Sequence, residues 1–172
     1  MGKYSNFNRR PRDQYDTPAG IVPPVKQRMR FVEPCVGWGQ LVESLTMEGH
    51  ECTLAFDIEP ERSLWKWGYG NALEMTEAHC AGATHICTNP VWAVPLLHEM
   101  IDHFRVLRPT WLLFYANWIF TKQARPLLEF CQEIHAVGRV SWMENGQAGK
   151  EDSSWYLFGE EPCETVFHGR VA

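Results

Sequence analysis

The chain has 172 residues, of which 45% are hydrophobic, and its formal net charge is −5 at pH 7. This length allows one well-buried domain and leaves little room for a second. No apolar run reaches the roughly eighteen residues that a membrane helix needs, and no apolar core follows Met1, so we expect neither a membrane span nor a signal peptide and place the protein in the cytoplasm. The six cysteines lack CxxC spacing and the density of secreted domains, so reduced thiols are expected.

Strand and helix patterns alternate along the chain. Strands are predicted at 30–35, 52–57, 84–88 and 110–117, and helices at 39–48, 59–67, 93–104 and 121–132. Two last strands, at 135–142 and 154–159, enclose a polar loop at 144–152. Strands separated by helices predict a parallel sheet with right-handed crossovers, whereas the last pair predicts an antiparallel edge. The expected fold is a single doubly wound α/β domain with helices on both faces.

The basic residues are concentrated at the N-terminus. The first 30 residues hold seven Lys or Arg and two acidic residues, which leaves nine basic and nineteen acidic residues for the rest of the chain. We therefore divide the chain into a basic arm, 1–28, and an α/β domain, 29–172. A nucleic-acid partner would be bound mainly by this basic region. The candidates for phosphate contacts are Arg9, Arg10, Arg12, Lys26, Arg28 and Arg30. A solvated basic tail is the alternative interpretation.

The segment FVEPCVGWG, residues 31–39, places two glycines directly after the first predicted strand. The carboxyl ends of strands in an open α/β sheet line the crevice where ligands bind. Gly37 and Gly39 would let the backbone pass close to a ligand and would aim the next helix at it. Glu33 offers a carboxylate to an ammonium or sulfonium group, and this acid, with the absence of GxGxxG, argues against NAD. An ordinary turn with a surface glutamate is the alternative.

Two polar residues follow the next strand. Asp57 ends the strand 52–57, where a carboxylate can accept hydrogen bonds from both hydroxyls of a ribose. Because Pro60 begins a predicted helix shortly afterwards, Asp57 could instead cap that helix. Asn71 begins a segment where an acid or an amide could contact the edge of an adenine.

The segment Asn89-Pro90-Val91-Trp92 follows the strand 84–88. An amino group on an aromatic ring is a poor nucleophile because its lone pair is delocalised. The Asn89 side-chain oxygen and the Pro90 carbonyl can accept its two hydrogens while positive charge develops on the nitrogen. Trp92 can stack on the ring, and a base in a duplex would have to be flipped to reach the site. A turn followed by a core tryptophan is the alternative interpretation.

A metal site is not expected. The residues closest to a ligand pattern are His79, Cys80, His85 and Cys87. The last two of them fall in a predicted strand, which does not suit a compact zinc site.

Three segments carry a resemblance to a known family. FVEPCVGWG resembles motif I of class I S-adenosylmethionine-dependent methyltransferases, in the E-P-x-x-G-x-G form common among amino-methyltransferases. TNPVW, 88–92, is similar to their (D/N)-P-P-(Y/F/W) motif IV. YDTP, 15–18, resembles the Y-x-T-P element before motif I in adenine-N6 DNA methyltransferases, including small phage-encoded ones. The resemblance extends over about residues 13–159.

This resemblance implies S-adenosylmethionine as cofactor and methyl transfer to an exocyclic amine, most of all adenine N6 of DNA. The implied cofactor contacts are Glu33 and Thr17 at the methionine end, Gly37 and Gly39 at the floor, Asp57 at the ribose and Asn71 near the adenine. The implied catalytic residues are Asn89, Pro90 and Trp92. Val91 replaces the second proline of the family, and Asn71 replaces its usual Asp.

The resemblance leaves the substrate open. The expected partner is nucleic acid, DNA before RNA, in a host cytoplasm if the chain is phage-encoded. Methylation of RNA or of a protein glutamine, and a cofactor-binding subunit without activity, are the alternatives. The chain has no room for a separate recognition region, so specificity would come from the loop 144–152, the basic arm or a partner subunit.

Overall fold

The computed structural model describes residues 16–59, 67–142, 149 and 151–170. Within these ranges eight strands form one sheet, in the order β3-β2-β1-β4-β5-β7-β6-β8. The strands are β1 (Arg30–Glu33), β2 (Glu51–Asp57), β3 (Gly68–Tyr69), β4 (His85–Thr88), β5 (Thr110–Tyr115), β6 (Cys131–Arg139), β7 (Asp152–Phe158) and β8 (Val166–His168). The α-helices are α1 (Gln40–Met47), α2 (Val94–Arg105) and α3 (Arg125–Leu128).

The sheet is mostly parallel. β1 to β5 pair in parallel, β7 lies antiparallel between β5 and β6, and β8 pairs in parallel with β6 at one edge. The predicted doubly wound sheet with an antiparallel element is therefore confirmed. Because the first four long strands share one direction, their carboxyl ends meet along one side of the sheet, where ligands bind in this class of fold.

Helices cover both faces of the sheet. Successive strand residues point to opposite sides, so each face carries apolar side chains that a helix can bury. Phe31 and Trp111 pack in one buried cluster with Leu45 of α1. Val32 and Leu112, their neighbours in sequence, pack in the other cluster with helix α2. Each fully buried Leu or Phe side chain contributes about 1.5–3 kcal/mol to stability. None of the helices in the described part of the chain is long and apolar enough to cross a membrane.

The helix predicted at 121–132 is correct only in part, because the helical turns end at residue 128. The chain forms a 3₁₀ turn at Lys122–Ala124 and the single-turn helix α3, after which β6 begins at Cys131, earlier than the predicted strand 135–142. Cys131 is fully buried and pairs with Phe158 of β7. This long-range pairing overrides the local helical pattern, as tertiary context commonly does.

Other boundaries also differ from the prediction. β5 ends at Tyr115 instead of residue 117, because a 3₁₀ turn spans Ala116–Phe120. β3 and β8 are too short to give a readable periodicity. The predicted helix 59–67 and the loop 144–152 lie mostly outside the described residues. The division of the chain at residue 28 stays a prediction; Ile21, Val22 and Val25, on its N-terminal side, pack against the core.

Candidate functional site

A cavity of about 540 Å³ opens at the carboxyl ends of the parallel strands. Glu33 enters its wall from β1, Asp57 from β2, and Asn89 directly after β4. This is the crevice where open α/β sheets bind ligands, and its volume suits a nucleoside-sized molecule. Seven of the predicted site residues line it: Thr17, Glu33, Gly37, Asp57, Asn71, Asn89 and Pro90. Gly39 and Trp92 lie outside the wall, and the predicted Arg9, Arg10 and Arg12 lie outside the described residues.

The glycine loop between β1 and α1 has a left-handed backbone. Gly37 has φ +51° and Gly39 has φ +93°, values that side chains other than glycine adopt at a cost. A Cβ on Gly37 would lie 2.8 Å from Asp16 Oδ1, and a Cβ on Gly39 would lie 2.7 Å from the Trp67 ring. Gly39 is the N-cap of α1. Its role is to begin that helix and to admit Trp67, instead of forming the cavity floor as predicted.

Asp57 connects the second strand to this loop. Its Oδ2 accepts a hydrogen bond from the Gly37 N–H at 2.9 Å, and its Oδ1 accepts one from the Glu59 N–H at 3.0 Å. The second bond closes a local turn after β2, and the alternative role of Asp57 as a helix cap stays a prediction because the predicted helix lies mostly outside the described residues. Each carboxylate oxygen has more than one acceptor site, so both bonds are compatible with further hydrogen bonds from ribose hydroxyls in the cavity.

Glu33 is a buried carboxyl group in the cavity wall. Its relative exposure is 1%, so the surface-glutamate interpretation is wrong, and its Oε2 has no hydrogen-bond partner among the described residues. Burial raises the pKa of Glu33 well above its usual value; the Thr88 hydroxyl opposes the rise and the nearby Asp57 carboxylate adds to it. The Asn89 backbone N–H also opposes the rise, but burial of an ionised carboxylate still costs free energy, and a cationic ligand group beside Oε2 would offset that cost.

The electrostatic character of the cavity is uniform. Among its described lining residues four carry a carboxyl group, Asp16, Glu33, Asp57 and Glu59, and none is a Lys, Arg or His. Because these groups are all acidic, the wall favours a positively charged ligand and disfavours one that carries phosphates. This supports the sequence-based argument against NAD.

Asn71 lies at the start of the 3₁₀ turn Ala72–Glu74 and lines the cavity. Its Oδ1 accepts a hydrogen bond from the Leu73 N–H at 3.1 Å, and its Nδ2 donates to Glu74 Oε1 at 3.4 Å. These two bonds fix the orientation of the amide. The second acceptor site of the oxygen is compatible with a hydrogen bond from a ligand amino group.

Trp92 contacts Asn89 directly. The indole Nε1–H lies between two acceptors, Asn89 Oδ1 at 3.2 Å and the Leu113 carbonyl at 3.1 Å. The ring packs edge-on against Trp142, with centroids 5.3 Å apart, and tilted against Tyr115 at 6.0 Å. Trp92 thus orients the Asn89 amide from outside the cavity wall. The predicted stacking of Trp92 on a substrate ring stays a prediction.

The cavity also contains residues that sequence patterns did not indicate. Ile58, Leu73, Leu96 and Met100 supply apolar wall, which belongs to ordinary amphipathic segments and has no motif. Asp16 lies at the wall and accepts a hydrogen bond from the Trp38 N–H at 3.3 Å. The only sequence feature that could have indicated Asp16 as a site residue was its position in the YDTP element.

Two of the basic candidates lie away from this site. Arg28 and Arg30 both form ion pairs with Glu51, at 3.2 and 3.3 Å, beside the amino ends of β1 and β2. The cavity is at the opposite ends of these strands. Arg28 and Arg30 therefore lie away from the cavity, and their role as phosphate contacts elsewhere on the surface stays a prediction.

Comparison with known proteins gives structural matches only. No protein-family model and no curated protein matches the sequence. A type I restriction-modification methyltransferase subunit from Streptococcus thermophilus matches with a TM-score of 0.57 and 8% identity, over 84% of this chain and 42% of that one. A putative class I S-adenosylmethionine-dependent methyltransferase from Listeria monocytogenes matches with a TM-score of 0.55 and 8% identity, over 87% and 60% of the two chains.

A putative RNA methyltransferase from Pyrococcus horikoshii matches with a TM-score of 0.55 and 11% identity, over 77% of this chain and 75% of that one. This chain spans less than two thirds of the first two structures. At identities this low, the structural matches establish the fold alone. The strand order and the cavity of this chain agree with the resemblance of its motifs. The chain has the fold of the class I S-adenosylmethionine-dependent methyltransferases.

Proposed function

We propose that the cavity binds S-adenosylmethionine and that the chain transfers the methyl group to an exocyclic amine, adenine N6 of DNA. The observation that carries the proposal is Glu33, a buried carboxyl group whose Oε2 lacks a partner among the described residues, in a cavity with acidic ionisable lining groups. S-Adenosylmethionine carries an ammonium and a sulfonium and no phosphate. It is the nucleoside cofactor whose charge matches this wall.

The residues present fit that cofactor. Glu33 would hold its ammonium, Asp57 its ribose hydroxyls and Asn71 its adenine amino group. Asp57 also ties the glycine loop to β2, so ribose binding and loop position depend on the same carboxylate. When bound, the cofactor supplies a methyl group on positively charged sulfur, which needs no further activation.

Asn89 and Pro90 would bind the accepting amino group. The Asn89 side-chain oxygen and the Pro90 carbonyl would each accept one amino hydrogen, and both stabilise positive charge as it develops on the nitrogen. A carbonyl-type oxygen has two acceptor sites, so the hydrogen bond from Trp92 does not prevent a second one from the substrate. Trp92 holds the amide in one orientation, and such preorganisation lowers the barrier without contributing to substrate binding.

The choice of DNA adenine rests on the combination of YDTP, the E-P-x-x-G-x-G loop and the NPVW segment. The methyltransferase subunit from S. thermophilus belongs to a type I restriction-modification system, which supports the same choice. The similar P. horikoshii structure is a putative RNA methyltransferase, so fold alone does not separate the two nucleic acids.

The experiment is a transfer assay with three substrates. The protein is incubated with methyl-labelled cofactor and, in parallel, adenine-containing DNA, RNA of the same sequence and a glutamine-containing peptide. The nucleic acids are then digested and analysed by nucleoside mass spectrometry. We expect N6-methyldeoxyadenosine in the DNA sample, formed about a hundredfold or more slowly by the Asn89→Ala variant.

Label in the RNA or peptide instead would contradict the DNA assignment. A separate calorimetric titration of the cofactor distinguishes two causes of a negative result. Binding without transfer to any substrate identifies a cofactor-binding subunit without activity. Absence of binding contradicts the whole proposal.

A further inference from the structure

A cluster of two histidines and one glutamate lies at the far edge of the sheet. Glu133 and His135 are on β6, and His168 is on β8. His135 pairs in register with His168 in the parallel ladder, so both side chains project from the same face. Glu133, two residues before His135 on the strand, shares that face. The three residues become neighbours only through strand pairing, which is why no spacing in the sequence indicated them.

The ligand atoms of the cluster converge. Glu133 Oε2 lies 2.6 Å from His135 Nε2 and 3.5 Å from His168 Nε2, and all three ligand atoms lie within 4.8 Å of one another. The two imidazole rings are stacked, with centroids 4.0 Å apart and an angle of 11° between their planes. Among the described residues this is the group of His, Cys, Asp and Glu with metal-ligand spacing; the sequence candidates His79, Cys80, His85 and Cys87 do not form one.

The geometry points to a zinc-binding site formed by Glu133, His135 and His168. Two imidazole nitrogens and one carboxylate oxygen are a ligand set that Zn²⁺ accepts, whereas Mg²⁺ and Ca²⁺ prefer oxygen ligands alone. Ligands at about 2.0–2.1 Å from a tetrahedral zinc lie roughly 3.3 Å apart. The contact between Glu133 and His168 already has this length, the contact between Glu133 and His135 must open by about 0.7 Å, and the stacked imidazole rings must turn so that a nitrogen lone pair of each points at the ion.

The site is accessible and supported by the sheet. The side chains of His135, Glu133 and His168 keep 18%, 40% and 44% of their exposure, so an ion can reach them without unfolding the strands. The ring of Trp111 packs beside that of His135, with centroids 5.6 Å apart. Three protein ligands leave a coordination position for water.

Zinc at this position would clasp the C-terminal strand to the sheet. β8 has three residues, all exposed, and pairs with β6 at the edge of the sheet. An edge strand this short is held by few contacts. A metal ion bound by residues of β6 and β8 adds a direct link between the two strands. The cluster lies on strands remote in sheet order from β1, β2 and β4, so zinc binding and cofactor binding are independent.

The test is zinc titration of the chelator-treated, full-length protein, by calorimetry and by competition with a chromogenic zinc chelator. We expect one Zn²⁺ per chain, and a loss of affinity of about tenfold or more in His135→Ala, His168→Ala and Glu133→Gln. His79→Ala, an exposed histidine outside the cluster, and Cys163→Ser, an exposed thiol, are the matched controls and should bind as the wild type does. Magnesium should not compete.

Two further readouts separate ligation from folding. Circular dichroism checks that each variant is folded, and Glu133→Gln keeps the shape of the side chain. Hydrogen exchange of the β8 amides should slow when zinc is added to the wild type and should not respond in His168→Ala. Absence of zinc binding, or zinc binding that the three cluster variants leave unchanged, would overturn the proposal. Binding lost only in Cys163→Ser would assign the metal to a thiol and would equally overturn it.

Discussion

Replacement of Trp92 by phenylalanine separates two roles of this side chain. The Trp92 N–H donates to Asn89 Oδ1 at 3.2 Å and to the Leu113 carbonyl at 3.1 Å, while the ring packs against Trp142 and Tyr115. Phenylalanine keeps an aromatic ring and removes the donor. The Asn89 amide then loses the bond that holds its orientation, although the cavity wall keeps its residues.

The expected magnitude follows from the loss of one neutral N–H donor that two acceptors share. The net worth of a neutral hydrogen bond is about 0.5–1.5 kcal/mol, so the free energy of unfolding should fall by about 1 kcal/mol. If the Asn89 amide stabilises the transition state less after losing its orientation, kcat should fall by about fivefold, which corresponds to about 1 kcal/mol in the activation barrier. The KM for the nucleic acid and the affinity for the cofactor should change little, because Trp92 does not line the cavity.

The assay compares the steady-state kcat and KM of wild type, Trp92→Phe and Trp92→Leu, with calorimetry for the cofactor. If Trp92 acts by stacking on the substrate, the phenylalanine variant keeps most activity and the leucine variant loses it. If it acts by orienting Asn89, both variants lose kcat to a similar extent. A folded Trp92→Phe protein with the wild-type kcat would refute the orienting role.

Three further changes test neighbouring parts of the site. Asn89→Ala should lower kcat by about 10² or more with unchanged cofactor affinity, measured by methyl transfer and calorimetry, because one preorganised acceptor is lost; a wild-type rate would remove Asn89 from the chemistry. Asp57→Ala should weaken cofactor binding by about 1–3 kcal/mol, through lost ribose contacts and a loosened Gly37 N–H; unaltered calorimetric affinity would argue against ribose binding. Deleting residues 1–12 should reduce the slope of log K for duplex DNA binding against log salt concentration by roughly 0.9 per lost phosphate contact. An unchanged slope would show that the basic arm is a solvated tail.

Much of the site was predictable because it depends on strand ends. Glu33, Asp57 and Asn89 each follow an apolar run, and the carboxyl ends of parallel strands meet at one side of a sheet wherever the intervening helices lie. A prediction that these strands run parallel was therefore enough to place the three side chains in one cavity. The charge of the cavity could be anticipated for the same reason.

Features that depend on long-range packing were not predictable. The start of β6 at Cys131 is set by pairing with Phe158, and the local sequence there has a helical pattern. The contact between Trp92 and Asn89 depends on the Trp92 rotamer, which is set by Trp142 and Tyr115 from other segments.

We expect cofactor binding to depend on pH through the buried carboxyl group of Glu33. Its pKa is raised mainly by burial, so the folded protein keeps the Glu33 proton above the value of about 4.3 at which the unfolded chain releases it. Stability therefore falls as the pH rises from that value through the raised pKa of Glu33. A cationic ligand pairs with the ionised form, so cofactor binding should release a proton in this window and tighten as the pH rises through it.

Calorimetric titration of S-adenosylmethionine into wild type and Glu33→Gln, in buffers of different ionisation enthalpy, tests the central claim most directly. The account predicts one micromolar site in the wild type, worth roughly −8 kcal/mol, with proton release. Glu33→Gln should bind more than about tenfold more weakly, without that proton release, while being more stable to heat above the raised pKa of Glu33, because the cost of burying an ionised carboxylate is gone. Absence of binding to the wild type, or equal affinity in Glu33→Gln, would contradict it.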